Sequence, residues 1–429
     1  MNQTIIIAAF VMLFLLFMKA PVFIAVLSGS VSYFMLNPNM VSQVFAQRVI
    51  SGIESTPLLA VPFFVASGVF MNYSGVTKRV MEFCSLVTRR LPGGLGQVNV
   101  LLSTLMGGLS GSNLADAAMQ SKMIVPEMEK RGYSKEFSSV VTATSAMITP
   151  LIPPGIAMIL YGSIANLSIG RLFMAGIGPG MLLCIALMIL VGIISKKRGY
   201  EVNNRKKITS VEFFHALKGA FLPLCLPIII ISGIRLGIFT PTEAGAVSII
   251  YALLLAIVYR EMTVKQFMIG IKETICTTAS VMIIVAAASA FAWILTRERI
   301  PQQFTAFMIA NIQNKYVFLF IVNIFLIIVG MFIEGNASMI VLVPLLAPVA
   351  NTYGIDPIQF AMIFIFNNAI GALSPPMGTL MFVTCGITKC KINRFIREAV
   401  PFYILLLICL ALLTLVPAFS VGVVNLLWK

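Results

Sequence analysis

From Phe137 to Gly170 the chain carries no charged residue, and from Pro357 to Thr388 it again carries none. Long uncharged runs recur along the whole sequence, and each approaches or exceeds the roughly 20 residues that carry a helix across about 30 Å of hydrocarbon. Charged residues make up 10% of the 429, where a soluble domain has about 25%. The chain is therefore read as an all-α polytopic membrane protein with no soluble domain left over. The first run, Asn2 to Met18, has no preceding positive region and no small-residue cleavage site, so it reads as a retained helix. The seven cysteines are scattered. Even the closest pair, Cys385 and Cys390, lacks metal-ligand spacing and fits the usual role of small hydrophobes.

A formal charge of +15 would suit a nucleic acid, but basic residues beside membrane helices mark the cytoplasmic side. The expected partner is the bilayer, with no nucleic acid. Spanning runs are placed near 2–18, 20–36, 55–72, 137–163, 170–194, 219–236, 242–259, 275–295, 358–387 and 400–425. Two runs remain, 97–125 and 316–350. If both enter halfway and return, Lys19 and the loops 73–96, 122–136, 195–218, 260–273 and 388–398 share one side and hold most of the 30 basic residues. That places 195–218 in the cytoplasm and both termini outside.

The chain also repeats itself. At one constant offset Gly108 matches Gly330, Pro126 matches Pro348, Gly132 matches Gly354, and Pro153-Pro154 matches Pro375-Pro376. The charge reading opens one hairpin to the cytoplasm and the other to the outside, so the halves form an inverted repeat, as in many secondary transporters. The expected division is 1–54 as N-terminal scaffold helices, 55–195 as the first half, 196–274 as cytoplasmic linker and scaffold helices, and 275–429 as the second half.

Each half has a hairpin interrupted by "GGLSGSN" or "FIEGNAS" and a long run interrupted by "TPLIPPG" or "LSPPMGT". Proline removes an amide donor and clashes with the preceding turn, so helices 137–163 and 358–387 should be discontinuous. Unwound backbone at this depth requires protein or a polar cavity around it. Four breaks converging near the midplane suit cations at the freed carbonyls and an anionic substrate group at the helix N-termini. Plainer roles compete. Glu243 in "TPTE" reads as a helix cap with Thr240 and Pro241, and Asp116 is open between capping and support of an ion site. Glu334, the one charged residue between Tyr316 and Tyr353, reads as functional, because intramembrane carboxylates are costly. Arg297 and Arg299 are interfacial anchors, with attraction of an anion as the alternative.

Gly108-Leu109-Ser110-Gly111 also carries the G-x-S-G pattern of rhomboid intramembrane proteases, but a serine nucleophile needs a base. The single histidine, His215, lies in the basic linker, and no lysine occupies the interior of a span. A pore fares no better, since neither charged rings nor a carbonyl filter repeat is evident.

Over essentially its whole length the sequence resembles the large membrane subunit of tripartite ATP-independent periplasmic (TRAP) transporters. The resemblance is carried by "GGLSGSNLADAAMQSKMIVPEMEKRGY", "ITPLIPPGIAMILYG", "SIGRLFMAGIGPG", "FTPTEAGA" and "LSPPMGTLMFV". It implies a sodium-driven importer of small organic acids in the bacterial inner membrane, with the elevator-type fold of the ion transporter superfamily. The implied partners are a soluble periplasmic substrate-binding protein and a small four-helix membrane subunit, expected here as a separate chain. Carried over by residue, the first Na+ site would use Ser110, Ser112 and Asn113 with backbone from Thr149 and Pro150 to Gly155. The second would use Gly335, Asn336 and Ser338 with backbone from Leu373 through Ser374 and Gly378 to Thr379. A substrate carboxylate would lie near Asn113, Pro154, Asn336 and Pro376, with Arg297 a further candidate. The segment "AMQSKMIVPEMEKRGY" looks closest to members that import sialic acids. The second tip departs from the first by offering Glu334, so equal coordination at the two sites is not expected.

Overall fold

The computed structural model of the protein describes residues 3–18, 20–37, 41–201 and 209–428. Asn2, Lys19, Arg205, Lys206, Lys207 and Lys429, on which parts of the span and charge reading rest, lie outside the described residues. Among the described residues the regular elements are all helices, and eight of them are long and apolar enough to cross a bilayer.

The chain opens with α1 (Gln3–Phe17), α2 (Val22–Leu36), α3 (Ser42–Ser51), α4 (Ala60–Tyr73) and α5 (Val76–Thr88). α5 falls in no expected span. Val76, Val80 and Cys84 are buried while Lys78 and Glu82 are more accessible, so it is an amphipathic helix whose charges conceal it from a search for uncharged runs. Next come α6 (Gly94–Ser110), α7 (Asn113–Met123), α8 (Val125–Lys130), α9 (Lys135–Ser145), α10 (Ile156–Ala165) and α11 (Ile169–Arg198). The middle of the chain holds α12 (Ser210–Arg235), α13 (Pro241–Tyr259), α14 (Val264–Arg297) and α15 (Ile300–Asn311). In the cap of α13 Glu243 accepts the Thr240 N–H at 2.7 Å and donates its own N–H to the Thr240 hydroxyl at 3.2 Å, as "TPTE" suggests.

The last part contains α16 (Lys315–Phe332), α17 (Gly335–Thr352), α18 (Pro357–Leu373), α19 (Thr379–Thr388), α20 (Ile392–Leu415) and α21 (Val421–Leu427). Three expected spans need correction. α12 covers Ser210–Arg235 instead of 219–236, because Glu212, His215 and Lys218 belong to the helix but precede its apolar part. α14 covers Val264–Arg297 instead of 275–295, because Lys265, Lys272 and Glu273 belong to the helix but precede its apolar part. The run 400–425 is not one helix: α20 stops at Leu415, and Val416 is extended (φ −120°, ψ 93°), as the residue before Pro417 prefers.

The runs 97–125 and 316–350 are each interrupted, α6 ending at Ser110 before α7 and α16 at Phe332 before α17, and both expected broken helices are discontinuous. α9 gives way to a short 3-10 turn, Ala146–Ile148, and α10 begins only at Ile156, past Pro150, Pro153 and Pro154. α18 ends at Leu373 and α19 begins at Thr379, past Pro375 and Pro376. The helix starts keep the offset of the glycine and proline matches: α7 begins at Asn113 and α17 at Gly335, α9 at Lys135 and α18 at Pro357. α18 is buried at every position from Ile358 to Leu373, the property of a helix at the centre of a bundle.

Five ion pairs tie the basic loops together: Arg79–Glu261 (2.7 Å), Arg89–Glu212 (3.2 Å), Arg131–Glu201 (2.9 Å), Arg198–Glu398 (2.6 Å) and Arg394–Glu136 (3.3 Å). They connect segments 73–96, 122–136, 195–218, 260–273 and 388–398, so these loops lie on one face of the molecule. Burial opposes the charge of Glu201, but hydrogen bonds from the Leu95 N–H, Arg131 and the Tyr133 hydroxyl outweigh it and hold the carboxyl below its usual range.

Candidate functional site

The first tip forms because α6 reaches Gly111, whose φ of +63° ends the helix in the left-handed region. Alanine is excluded there twice over, since a Cβ would also stand 2.9 Å from the Pro154 carbonyl oxygen. Ser112 then adopts an extended conformation and caps α7 by accepting the Ala115 N–H at 3.4 Å. In the second tip Glu334 stands at the equivalent place by the same offset, and caps α17 by accepting the Ala337 N–H at 3.2 Å. It also accepts the Asn336 amide at 2.9 Å. The intramembrane carboxylate expected to be functional is thus the N-cap of its helix.

Asp116 is not a cap. It is fully buried and accepts the Ser110 hydroxyl at 2.7 Å on one oxygen and the Thr149 hydroxyl at 2.6 Å on the other. It therefore joins the first tip to the break between α9 and α10. At the corresponding place in the second half Ser338 donates to the Asn368 side-chain oxygen at 2.9 Å, and the Asn368 amide donates to the Gly335 carbonyl at 3.2 Å. Asn368 lies eleven residues into α18, about 16 Å at 1.5 Å per residue, or roughly half of a 30 Å hydrocarbon core. Thr149 is fourteen residues past the start of α9. Each tip therefore meets its broken helix deep inside the bundle.

Between the tips is a cavity of about 90 Å³. Gly111, Ser112 and Asn113 line it from the first tip, Glu334, Gly335 and Asn336 from the second, Pro150, Ile156 and Thr379 from the breaks, and Asn368 from within α18. Four helices, α7, α10, α17 and α19, begin within this lining, so their N-terminal N–H groups and positive dipole ends face a common space. Of the residues singled out from the sequence, Ser112, Asn113, Pro150, Gly335, Asn336 and Thr379 meet at the cavity. Ser110 and Thr149 stand behind it with Asp116, and Ser338 turns to Asn368. The Ser374 hydroxyl donates to the Ile370 carbonyl at 2.8 Å. Gly155 and Gly378 pack against the Pro150 and Ser374 carbonyls, where a Cβ would approach to 2.6 Å in each case. Pro154 is buried, with its carbonyl against Gly111, while Pro376 is exposed.

Arg297 is not brought to this cavity. Its guanidinium lies 5.4 Å from the centre of the Trp293 ring at the far end of α14, the anchoring arrangement. Asn368 and its neighbour Asn367, which donates to Asn323 at 2.9 Å, went unnoticed in the sequence, although two adjacent amides in the middle of a long uncharged run were the available signal. Ser110 has no histidine partner. His215 lines a different cavity, beside Arg89 and Glu212 on the face of the basic loops.

Residues 7–419 match the family described as tripartite ATP-independent periplasmic transporter, DctM component. The chain is 40% identical, over 95% of each sequence, to the sialic acid TRAP transporter large permease protein of Vibrio cholerae serotype O1. It is 36% identical to the 2,3-diketo-L-gulonate TRAP transporter large permease protein of Escherichia coli K12, over 87% of this chain and 88% of that one. The crystal structure of the Alcanivorax borkumensis YdaH transporter, described as having an unusual topology, shares the fold with a TM-score of 0.61 over 90% of each chain at 14% identity. The chain therefore belongs to the TRAP transporter family as its large permease component, a multi-pass inner-membrane protein and not an enzyme.

Proposed function

We propose that this permease imports a small hydroxylated carboxylate, of the sugar-acid class that includes sialic acid, together with sodium, by an elevator motion. The observation that carries the reading is the single cavity on which four helix N-termini and both hairpin tips converge. Positive helix ends suit the carboxylate, and the carbonyls freed at the breaks suit hard monovalent cations. The names of the Vibrio and Escherichia relatives refer to sugar acids, which supports the substrate class. A soluble periplasmic binding protein and a small membrane subunit complete the tripartite system.

The ion pairs support motion of two bodies. Arg131–Glu201, Arg198–Glu398 and Arg394–Glu136 link α8, α9, α11 and α20, while Arg79–Glu261 and Arg89–Glu212 link α5, α12 and the loop between α13 and α14. Among the described residues no ion pair joins one set to the other. The constant register of the two tips supports an inverted repeat, in which one half mirrors the other across the membrane.

Two sodium ions loading with one carboxylate would carry one net positive charge, so a potential of 100 mV would contribute roughly 2.3 kcal/mol to uptake. The test is uptake of labelled sialic acid into vesicles holding the permease, its small subunit and a binding protein. Uptake is expected to require sodium and to accelerate when the interior is made negative. Full-rate uptake in sodium-free buffer under a proton gradient contradicts the proposal.

A further inference from the structure

The cavity between the tips has a volume of about 90 Å³, well short of the roughly 300–1,000 Å³ typical of pockets that enclose a small organic ligand. A second cavity, of about 420 Å³, lies toward the face opposite the basic loops. It is walled by α3 and α14 on one side and by the outer end of α10 and the middle of α17 on the other. Ser163 in its wall is six residues beyond Ala157, which lines the tip cavity, so the two spaces are separated along α10 by about 9 Å. Met339 and Ile340 put neighbouring positions of α17 on the two cavities.

The lining of the outer cavity is chemically specific. Ser51, Ser55, Ser163, Ser289 and Thr296 supply hydroxyl groups, and Arg48 supplies the charge. The Arg48 guanidinium is held 5.4 Å from the centre of the Trp293 ring, and among the described residues it has no carboxylate at ion-pair distance. A guanidinium oriented by an aromatic ring, with its N–H groups left for another acceptor, is suited to a carboxylate. Hydroxyl groups around it match a polyhydroxylated ligand.

We infer that this outer cavity is a receiving site in which Arg48 takes the carboxylate of a sugar acid before the acid reaches the tips. The inference rests on the proposed transport of such acids, but its residues are not those of the sodium sites, so occupancy of the outer cavity is independent of sodium.

The test uses the full-length chain in lipid nanodiscs with Trp428→Phe, which leaves Trp293 as the one tryptophan of two. Titration with sialic acid in sodium-free buffer should change Trp293 emission saturably, while mannitol, a neutral polyol, should not. Arg48→Gln should raise the midpoint about tenfold or more, and Arg48→Lys, which keeps the charge, should shift it less. The midpoint is read because loss of the stacked guanidinium alters the baseline intensity, and an unchanged melting temperature excludes misfolding. An equal response to mannitol, or an Arg48→Gln midpoint equal to that of the parent, overturns the inference. A sodium-independent midpoint in a protein whose uptake needs no sodium would leave the receiving site standing while the transport proposal falls.

Discussion

Asp116 presents the sharpest energetic problem of any single residue. Moving a carboxylate out of water costs several kcal/mol even after relaxation, and the two hydroxyl donors found here, Ser110 and Thr149, offset only part of that. A cation held beside the first tip would offset much of the remainder, whereas the second tip, with Ser338 and Asn368 in the same role, has no such requirement. Asp116→Asn is therefore expected to raise the sodium concentration for half-maximal uptake about tenfold or more. Asn113→Ala and Asn336→Ala should each raise it several-fold, and Ser110→Ala less, since Thr149 remains. Sodium titrations of uptake decide this: if both asparagine variants keep the parental dependence, the tips are helix caps only. Asn113 and Asn336 were legible because small polar residues interrupt long apolar runs. The role of Asp116 was not, because its partner Thr149 is far along the chain and meets it only once the α9 break has folded against the tip.

At the scale of helices, the tips are held in depth by close backbone contact. Gly330 of α16 and Gly371 of α18 touch so closely that a Cβ on Gly371 would stand 2.5 Å from the Gly330 Cα. Small residues permit such an approach between membrane helices. Gly371→Ala should force α16 and α18 apart, costing about 1–3 kcal/mol as overpacking does, and should lower both the melting temperature and the transport rate. Gly386→Ala, where a Cβ meets nothing within 4 Å, is the control, and its helix should be unchanged or slightly firmer. Equal melting temperatures for the two variants would show that the crossing is not tight. The glycine pair at 108 and 330 was visible as a repeat, but the sequence carries no mark that Gly330 faces Gly371 while Gly108 faces Pro227 and the Pro153 carbonyl. Proline punctuation made the broken helices readable in advance. Charge density hid α5, and charged first turns hid the start of α14, because a search for apolar runs rejects the very residues that sit where a helix leaves the membrane.

Across the whole molecule, the distribution of basic residues and the ion pairs constrain the same thing by independent means. The charge count groups loops by composition, while the ion pairs group them by contact: Arg198–Glu398 at 2.6 Å and Arg394–Glu136 at 3.3 Å cannot form across a bilayer about 30 Å thick. The contacts fix which loops share a face, and the excess of lysine and arginine indicates that this face is cytoplasmic. Single cysteines at Lys197 and Lys391, both exposed, should therefore react with a membrane-impermeant maleimide only from the cytoplasm. For the opposite face Asp356 is a poor choice, since it caps α18 by accepting the Ile358 and Gln359 N–H groups, and loss of a cap costs about 1 kcal/mol. Exposed Asn351 probes the same turn without that loss and should be labelled only from the periplasm. The background must lack Cys276, which is exposed. Labelling of Lys197 and Lys391 from different sides would contradict the ion-pair network itself. Labelling of both from the periplasm would keep the fold but invert it, and with it the direction from the outer cavity to the tips that import requires.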